Sequence, residues 1–271
     1  MIIGKNLARL FYLTFVITFA GHNNEAVAQF LVEDGLVSYW SFDADTIKGK
    51  RINDLVGPND CTEVGGPEQS QGKVGEALSF DGSIDGANCG NKKSLANIFE
   101  RGGTFMAWFY AESMGQNDQG RIGDKNQWTL MLRQEAGGRV LYIHAAFSTT
   151  PGAWHTPARE YELGEWFHAA MVYDSSSDRN DPIVYVNGES KRVTRKVAPA
   201  GQYTPDDDSI FGIAIRFHDK QRFFDGLIDE VAIYNRALSE AEIGRNYRAS
   251  GLAVALLDKL AITWGAIKAT R

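Results

Sequence analysis

The stretch Phe224-Asp225-Gly226-Leu227-Ile228-Asp229-Glu230-Val231-Ala232-Ile233-Tyr234 constrains this chain most, because it runs directly into a helix start. Its apolar, β-branched character suits a buried strand. Ser239 followed by Glu242 is a capping box, and Leu238 before the cap can staple onto Ile243. A short helix over 240–248 is therefore predicted, ending before Gly251. On the strand, Leu227, Val231 and Ile233 are expected to line one face, with Asp229 pointing inward among them. A carboxylate buried there needs a partner. Asp229 and Glu230 are adjacent, so strict alternation sends them to opposite faces.

The rest of the chain repeats the strand theme. Leu36 to Asp43 alternates apolar and polar residues, with Val37, Tyr39 and Ser41 expected on one face and Leu36, Trp40 and Phe42 on the other. Residues 44–72 are rich in Gly, Asp, Asn and Pro and read as loop, with a short strand near Val64. Further strands are predicted at 77–80, 104–110, 127–133, 139–147, 166–173, 183–186, 191–195 and 210–217. Gly137-Gly138 and Asn187-Gly188 mark hairpins. Lys259 to Trp264 alternates and could add a strand in the tail. Many short strands, regular turns and one small helix predict an all-β antiparallel sandwich of jelly-roll type.

Residues 1–28 read as a signal peptide. Lys5 and Arg9 precede an apolar run from Leu10 to Ala20, and Ala26-Val27-Ala28 is a small-x-small cleavage site. No later segment is apolar enough to span a bilayer, so no transmembrane segment is expected after cleavage. The domain plan is then a linker over 29–34, one domain over 35–248 and a tail over 249–271. The net charge of −6 becomes 26 − 33 = −7 without Lys5, Arg9 and Glu25. An acidic domain argues against a nucleic-acid partner. The run Lys191, Arg192, Arg195 and Lys196 reads as a solvated face. Export permits a Cys61–Cys89 disulfide, although Cys89 could equally be a small buried residue.

Four segments, in order, resemble the laminin-G-like jelly-roll family, a concanavalin A-like branch. They are Gly35 to Asp43, Gly72 to Gly82, Glu165 to Asp174 with Tyr185-Val186-Asn187-Gly188, and the closing stretch. The resemblance covers roughly residues 35–248. It implies a concanavalin A-like sandwich and places a structural calcium ion between the first and closing strands. The positions carried over are Asp43 and Asp229, with Asn59 a looser match; Cys61 stands where relatives have glycine. Asp54 and Asp60 lie in the same loop. The alternative is that Asp229 accepts backbone hydrogen bonds and Asp43 starts a turn. Asp206-Asp207-Asp208 reads as a solvated turn.

For a ligand, an aromatic platform with polar neighbours would suit a sugar. Trp154 and His155 in a Pro/Gly-flanked loop from Pro151 to Pro157, Trp128 and Arg133 on a strand, and Arg216 and His218 at the end of a late strand are the candidates. Trp40, Trp108 and Trp166 are expected in packing roles. The sequence has no paired-carboxylate strand motif, no G-x-S-x-G and no H-E-x-x-H. His168 lies within a strand and reads as a packing residue rather than a base. The expectation is an exported, non-catalytic binding or adhesion module, secreted or at the cell surface, whose partner is a glycan or an extracellular protein. Two alternatives stand beside it. One is a structural domain of a larger surface complex. The other is a divergent glycoside hydrolase using acids among Glu135, Glu160 and Glu162.

Overall fold

The computed structural model describes residues 31–249 and 251. Two antiparallel sheets pack face to face. The first has eight strands: Glu189–Lys191, Ile183–Val186, Trp166–Tyr173, Gly103–Ala111, Asp225–Tyr234, Glu76–Asp81 and Glu68–Gln71 follow in that order, and Leu36–Trp40 shares an edge of Asp225–Tyr234. The second has ten: Thr194–Val197, Gly152–His155, Gly138–Ala145, Trp128–Glu135, Arg121–Asp124, Gly212–Ile213, Gly86–Asn88, Cys61–Val64, Arg51–Ile52 and Ile47–Lys48. Trp40, Phe105, Phe109, Trp128, Leu141 and Trp154 belong to the core between them. Cys61 and Cys89 are joined by a disulfide in the second sheet.

Gly103–Ala111 alternates between two apolar clusters. Phe105, Ala107 and Phe109 enter the core between the sheets, whereas Met106 joins a second apolar cluster on the outer face. Both faces are covered, so the strand is apolar throughout. The cover is the helix Glu240–Tyr247, whose Ser239–Glu242 capping box forms as expected. Leu238 and Ile243 lie together in that outer cluster. Leu31 and Val32, expected in a linker, are buried in it too, and Val32 N–H donates to Asn246 Oδ1 at 2.8 Å. The signal segment 1–28 and the alternating tail 259–264 lie outside the described residues.

Two expected strands differ. Asn187 and Gly188 both take positive φ, as a tight hairpin turn requires, but the returning strand is only Glu189–Lys191. The chain then crosses to the other sheet as Thr194–Val197. The strand expected over 210–217 reduces to Gly212–Ile213, since Ala214 takes φ +63° and turns the chain away.

The closing strand carries the main departure. It pairs Asp229 with Trp108, then Ala232 with Met106, so one extra residue is accommodated in a bulge. Glu230 sits there at φ +53°. Ile228, Val231 and Ile233 therefore face the core, while Leu227 does not. Asp229 is buried, but on the outer side of the sheet rather than inward. Glu230 turns to that side as well, where its Oε1 accepts from Tyr39 Oη at 2.6 Å. A similar register shift between Leu36 and Ser38 puts Val37 and Trp40 toward the core and Leu36 and Tyr39 outside.

His168 also lies on this outer face, 1% exposed, its ring against Trp108 and Tyr247 at 5.4 and 5.9 Å. Neither ring nitrogen has a hydrogen-bond partner. Burial pushes the imidazole down to about 3. It is thus neutral in the fold, whereas the unfolded chain protonates near pH 6.5. The stability this neutral ring retains at pH 7 is lost as pH falls below about 6.5, by roughly 3 kcal/mol at pH 4. His168→Leu should keep the packing and remove that share of the acid sensitivity. Urea unfolding of both proteins at pH 7 and pH 4 checks it; an equal loss in both would contradict the assignment.

Candidate functional site

The outer face of the ten-stranded sheet is where polar side chains converge. In Trp128–Glu135, Trp128, Leu130 and Leu132 face the core, so Thr129, Met131, Arg133 and Glu135 face out. In Gly138–Ala145, Leu141, Ile143 and Ala145 face in, leaving Val140, Tyr142 and His144 outside. Register then builds two rows across the sheet. One is Asp124–Thr129–His144–Ala153, and the next is Arg121–Met131–Tyr142–His155. Arg133 lies over the Tyr142 ring at 4.4 Å. Glu135 receives Lys196 Nζ at 2.6 Å and pairs with Arg133 at 3.4 Å.

At one end of these rows the charge is concentrated. Arg121, 4% exposed, donates from Nε to Asp124 Oδ2 at 2.9 Å. Its backbone N–H donates to the Arg222 carbonyl at 3.1 Å. Burial, with Arg216 and Arg222 nearby, brings Arg121 down to about 10, still charged at neutral pH. Burial, Arg121 and Arg216 also lower His144. Arg216 is held by Asp219, whose carboxyl it keeps below the usual range. The turn carrying Arg216 forms a wall of a pocket of about 400 Å³ with Asn126, Ser209, Phe217, His218 and Lys220.

Of the six residues expected to hold a ligand, the structure brings Arg133, His155 and Arg216 to this face, puts His218 in the adjoining pocket and sends Trp128 and Trp154 to the core. His155 and Arg216 are half-buried at the surface. Trp154 is fully buried, lies on the strand Gly152–His155 rather than in a loop, and donates from Nε1 to Asp181 Oδ1 at 2.5 Å. Trp128 packs on Phe211 and Phe99 at 5.6 and 5.0 Å. Neither indole offers a face to solvent, since both are fully buried. Sequence reasoning missed Arg121, Asp124, Tyr142 and His144, whereas Arg133 was among its candidates. The available signal was the residue alternation itself: polar or charged side chains stand between core residues in M-x-R-x-E and V-x-Y-x-H.

The acids behave differently. On the outer side of the eight-stranded sheet, Asp229 Oδ2 accepts from Lys73 and Val74 N–H at 2.9 and 3.0 Å, and Asp43 Oδ1 accepts from Glu76 N–H at 3.0 Å. The two carboxyls thus grip the same 72–76 turn. Both the backbone-acceptor expectation and the proximity expectation hold. Asp229 Oδ1, fully buried, has no hydrogen-bond partner. Burial, reinforced by Asp43 and opposed by the backbone N–H groups of Val74, Lys73 and Glu230, raises the Asp229 carboxyl to about 8. Asn59 is not part of this group: its Nδ2 donates to Ser38 Oγ and its Oδ1 accepts from Ser94 Oγ, each at 2.7 Å. Asp54 and Asp60 instead organise their own loop through backbone N–H groups. Among the described residues no three His, Cys, Asp or Glu side chains converge as a metal cage. A cation here would draw on two carboxylates with backbone carbonyls and water, donors that calcium accepts.

The remaining candidate acids are neutralised by cations. Glu135 is held below its ordinary range, first by the Lys196 hydrogen bond. Glu160 pairs with Lys191 at 3.1 Å and Glu162 with Arg139. A general acid at neutral pH needs the opposite shift.

Two facing antiparallel sheets define the class as a jelly-roll β-sandwich. The chain belongs to the concanavalin A-like lectin/glucanases superfamily: the Laminin_G_3 family model matches residues 73–244. No curated protein sequence matches it. Similar solved structures include domain 4 of AbnA, a GH43 extracellular arabinanase from Geobacillus stearothermophilus, in complex with arabinotriose. That likeness has 20% identity and a TM-score of 0.57, covering 78% of this chain and 98% of that one. The receptor binding domain of botulinum neurotoxin C/D mosaic serotype is 15% identical with a TM-score of 0.57, covering 80% of this chain and 51% of that one. Trypanosoma rangeli sialidase is 16% identical with a TM-score of 0.53, covering 80% of this chain and 33% of that one. At these identities the likeness establishes the fold.

Proposed function

We propose that this protein is an exported, non-catalytic carbohydrate-binding module, secreted or held at the cell surface, whose ligand lies on the outer face of the ten-stranded sheet. The observation that carries the reading is the pair of polar rows on that face, running from Asp124 to Ala153 and from Arg121 to His155. Within these rows Arg121, Asp124, Thr129 and Tyr142 form a buried floor, and the half-buried His144 and His155, with Arg133 and Arg216 beside them, are the groups that would meet sugar hydroxyls. The AbnA domain, of which this chain covers 98%, has the same fold and is described with arabinotriose. The disulfide suits an exported protein. The ion-paired states of Glu135, Glu160 and Glu162 favour binding over hydrolysis.

A structural calcium ion belongs to the same proposal. Asp43 and Asp229 would hold it, and its charge would let Asp229 ionise while both carboxyls grip the 72–76 turn. The orphaned Asp229 Oδ1 supports this.

A glycan array followed by product analysis tests the reading. Retention on one or a few saccharides without release of smaller sugars is expected. Release of shortened products would overturn the non-catalytic reading, and failure to bind any saccharide would overturn the carbohydrate reading.

A further inference from the structure

The binding face lacks what a neutral sugar stacks on. Trp40, Trp128 and Trp154 are in the core, Trp108 packs against Tyr247 on the other sheet, and Tyr142 is capped by Arg133. What the face offers instead is cationic. Arg121, Arg133, Arg216, Arg222 and Lys196 stand there or at its edge, against Asp124, Glu135 and Asp219. That is 5 − 3 = +2 with His144 and His155 neutral, on a chain whose net charge is −6.

The arrangement is also partly unspent. Arg222 Nε is buried without a hydrogen-bond partner. Asp124, fully buried, is engaged by Arg121 and also acts on Arg216, which Asp219 holds from the surface, whereas Arg222 forms no ion pair among the described residues. The Arg133 and Arg216 side chains are 36% and 27% exposed, within reach of a ligand. Arg121 at the base is locked by the Asp124 contact and by its Nη1 bond to the Gln119 carbonyl at 3.2 Å. A rigid buried guanidinium flanked by accessible ones suits a planar or tetrahedral anion, which such groups bind with two parallel hydrogen bonds.

We infer that this face binds a saccharide carrying an anionic group, a carboxylate or a sulfate, with Arg133 and Arg216 contacting the anion and Arg121 fixing the floor of the site. The inference rests on the carbohydrate-binding reading and narrows it to acidic glycans. Binding is then charge-driven and weakens as ionic strength rises. Neutral saccharides of the same size lose the main attraction.

Titration calorimetry with oligogalacturonate, a sulfated galactan oligosaccharide and neutral galactan oligosaccharide tests it, on the wild type and on Arg133→Gln and Arg216→Gln. Both substitutions change half-exposed side chains, and circular dichroism verifies the fold. An acidic oligosaccharide is expected to bind more tightly than the neutral one, with the carboxylate and sulfate arms naming the anion. Each variant should lose about tenfold or more. Equal or tighter binding of neutral galactan, or wild-type affinity in both variants, overturns the anionic inference and leaves the carbohydrate reading standing. Binding of polyglutamate but of no saccharide overturns both, as does binding of nothing.

Discussion

Lys125→Met is expected to destabilise the fold by about 3–5 kcal/mol, the usual result of removing one member of a buried ion pair. Lys125 and Asp206 side chains are 1% and 0% exposed, with Nζ 2.5 Å from Asp206 Oδ1 and 2.6 Å from the Asp206 carbonyl. Asp206 also accepts from Asn97 N–H at 2.7 Å and from Tyr203 Oη at 3.0 Å. The pair therefore ties the turn before Trp128 to two distant loops. Without the ammonium, Asp206 is a buried charge held only by dipoles. Adding Asp206→Asn keeps an acceptor for Asn97 and Tyr203 and removes that charge. The double variant should thus be more stable than Lys125→Met alone. Urea unfolding of the double-mutant cycle reads the coupling; simple additivity of the two losses would contradict a buried pair.

Asp229→Asn should have an effect whose sign depends on calcium. In chelator, the folded carboxyl stays protonated up to about pH 8, whereas the unfolded one ionises near 3.9. Stability from the neutral carboxyl is complete below 3.9 and is lost as pH rises toward 8, on the order of 4 kcal/mol at pH 7. The amide carries no such penalty, and its oxygen can still accept from Lys73 and Val74. Asp229→Asn should therefore match or exceed the wild type in chelator at pH 8. With calcium the order should reverse: the wild type gains melting temperature by mass action and the variant does not. Thermal unfolding at pH 8, with and without calcium, measures this. A wild type indifferent to calcium would remove the cation from the proposal and leave Asp229 a protonated clamp on the 72–76 turn.

Much of the sandwich was legible because turn chemistry and capping are local. Asn187-Gly188 and Ser239–Glu242 need only their own residues, and both form as read. The facing of Asp229 and Glu230 was not legible, because it depends on a bulge set by pairing with Trp108 and Met106, over a hundred residues away in sequence. The site divided in the same way. His155 and Arg216 reached the binding face, but Trp154 was read as a loop residue when register with Ile143 makes it a core residue. Asp206 looked like one of three solvated acids, yet only tertiary packing against Lys125 distinguishes it from Asp207 and Asp208. Sequence patterns report which residue types can share a face; which face is covered is decided by elements far along the chain.

Backbone chemical-shift mapping with the tightest-binding array glycan tests the central claim most directly. Perturbations should cluster on Thr129–Arg133, Val140–His144 and Ala153–His155, strands whose outer side chains form the binding face. Perturbations confined to the 72–76 turn, or to the helix Glu240–Tyr247, would place the ligand on the opposite sheet and contradict the account.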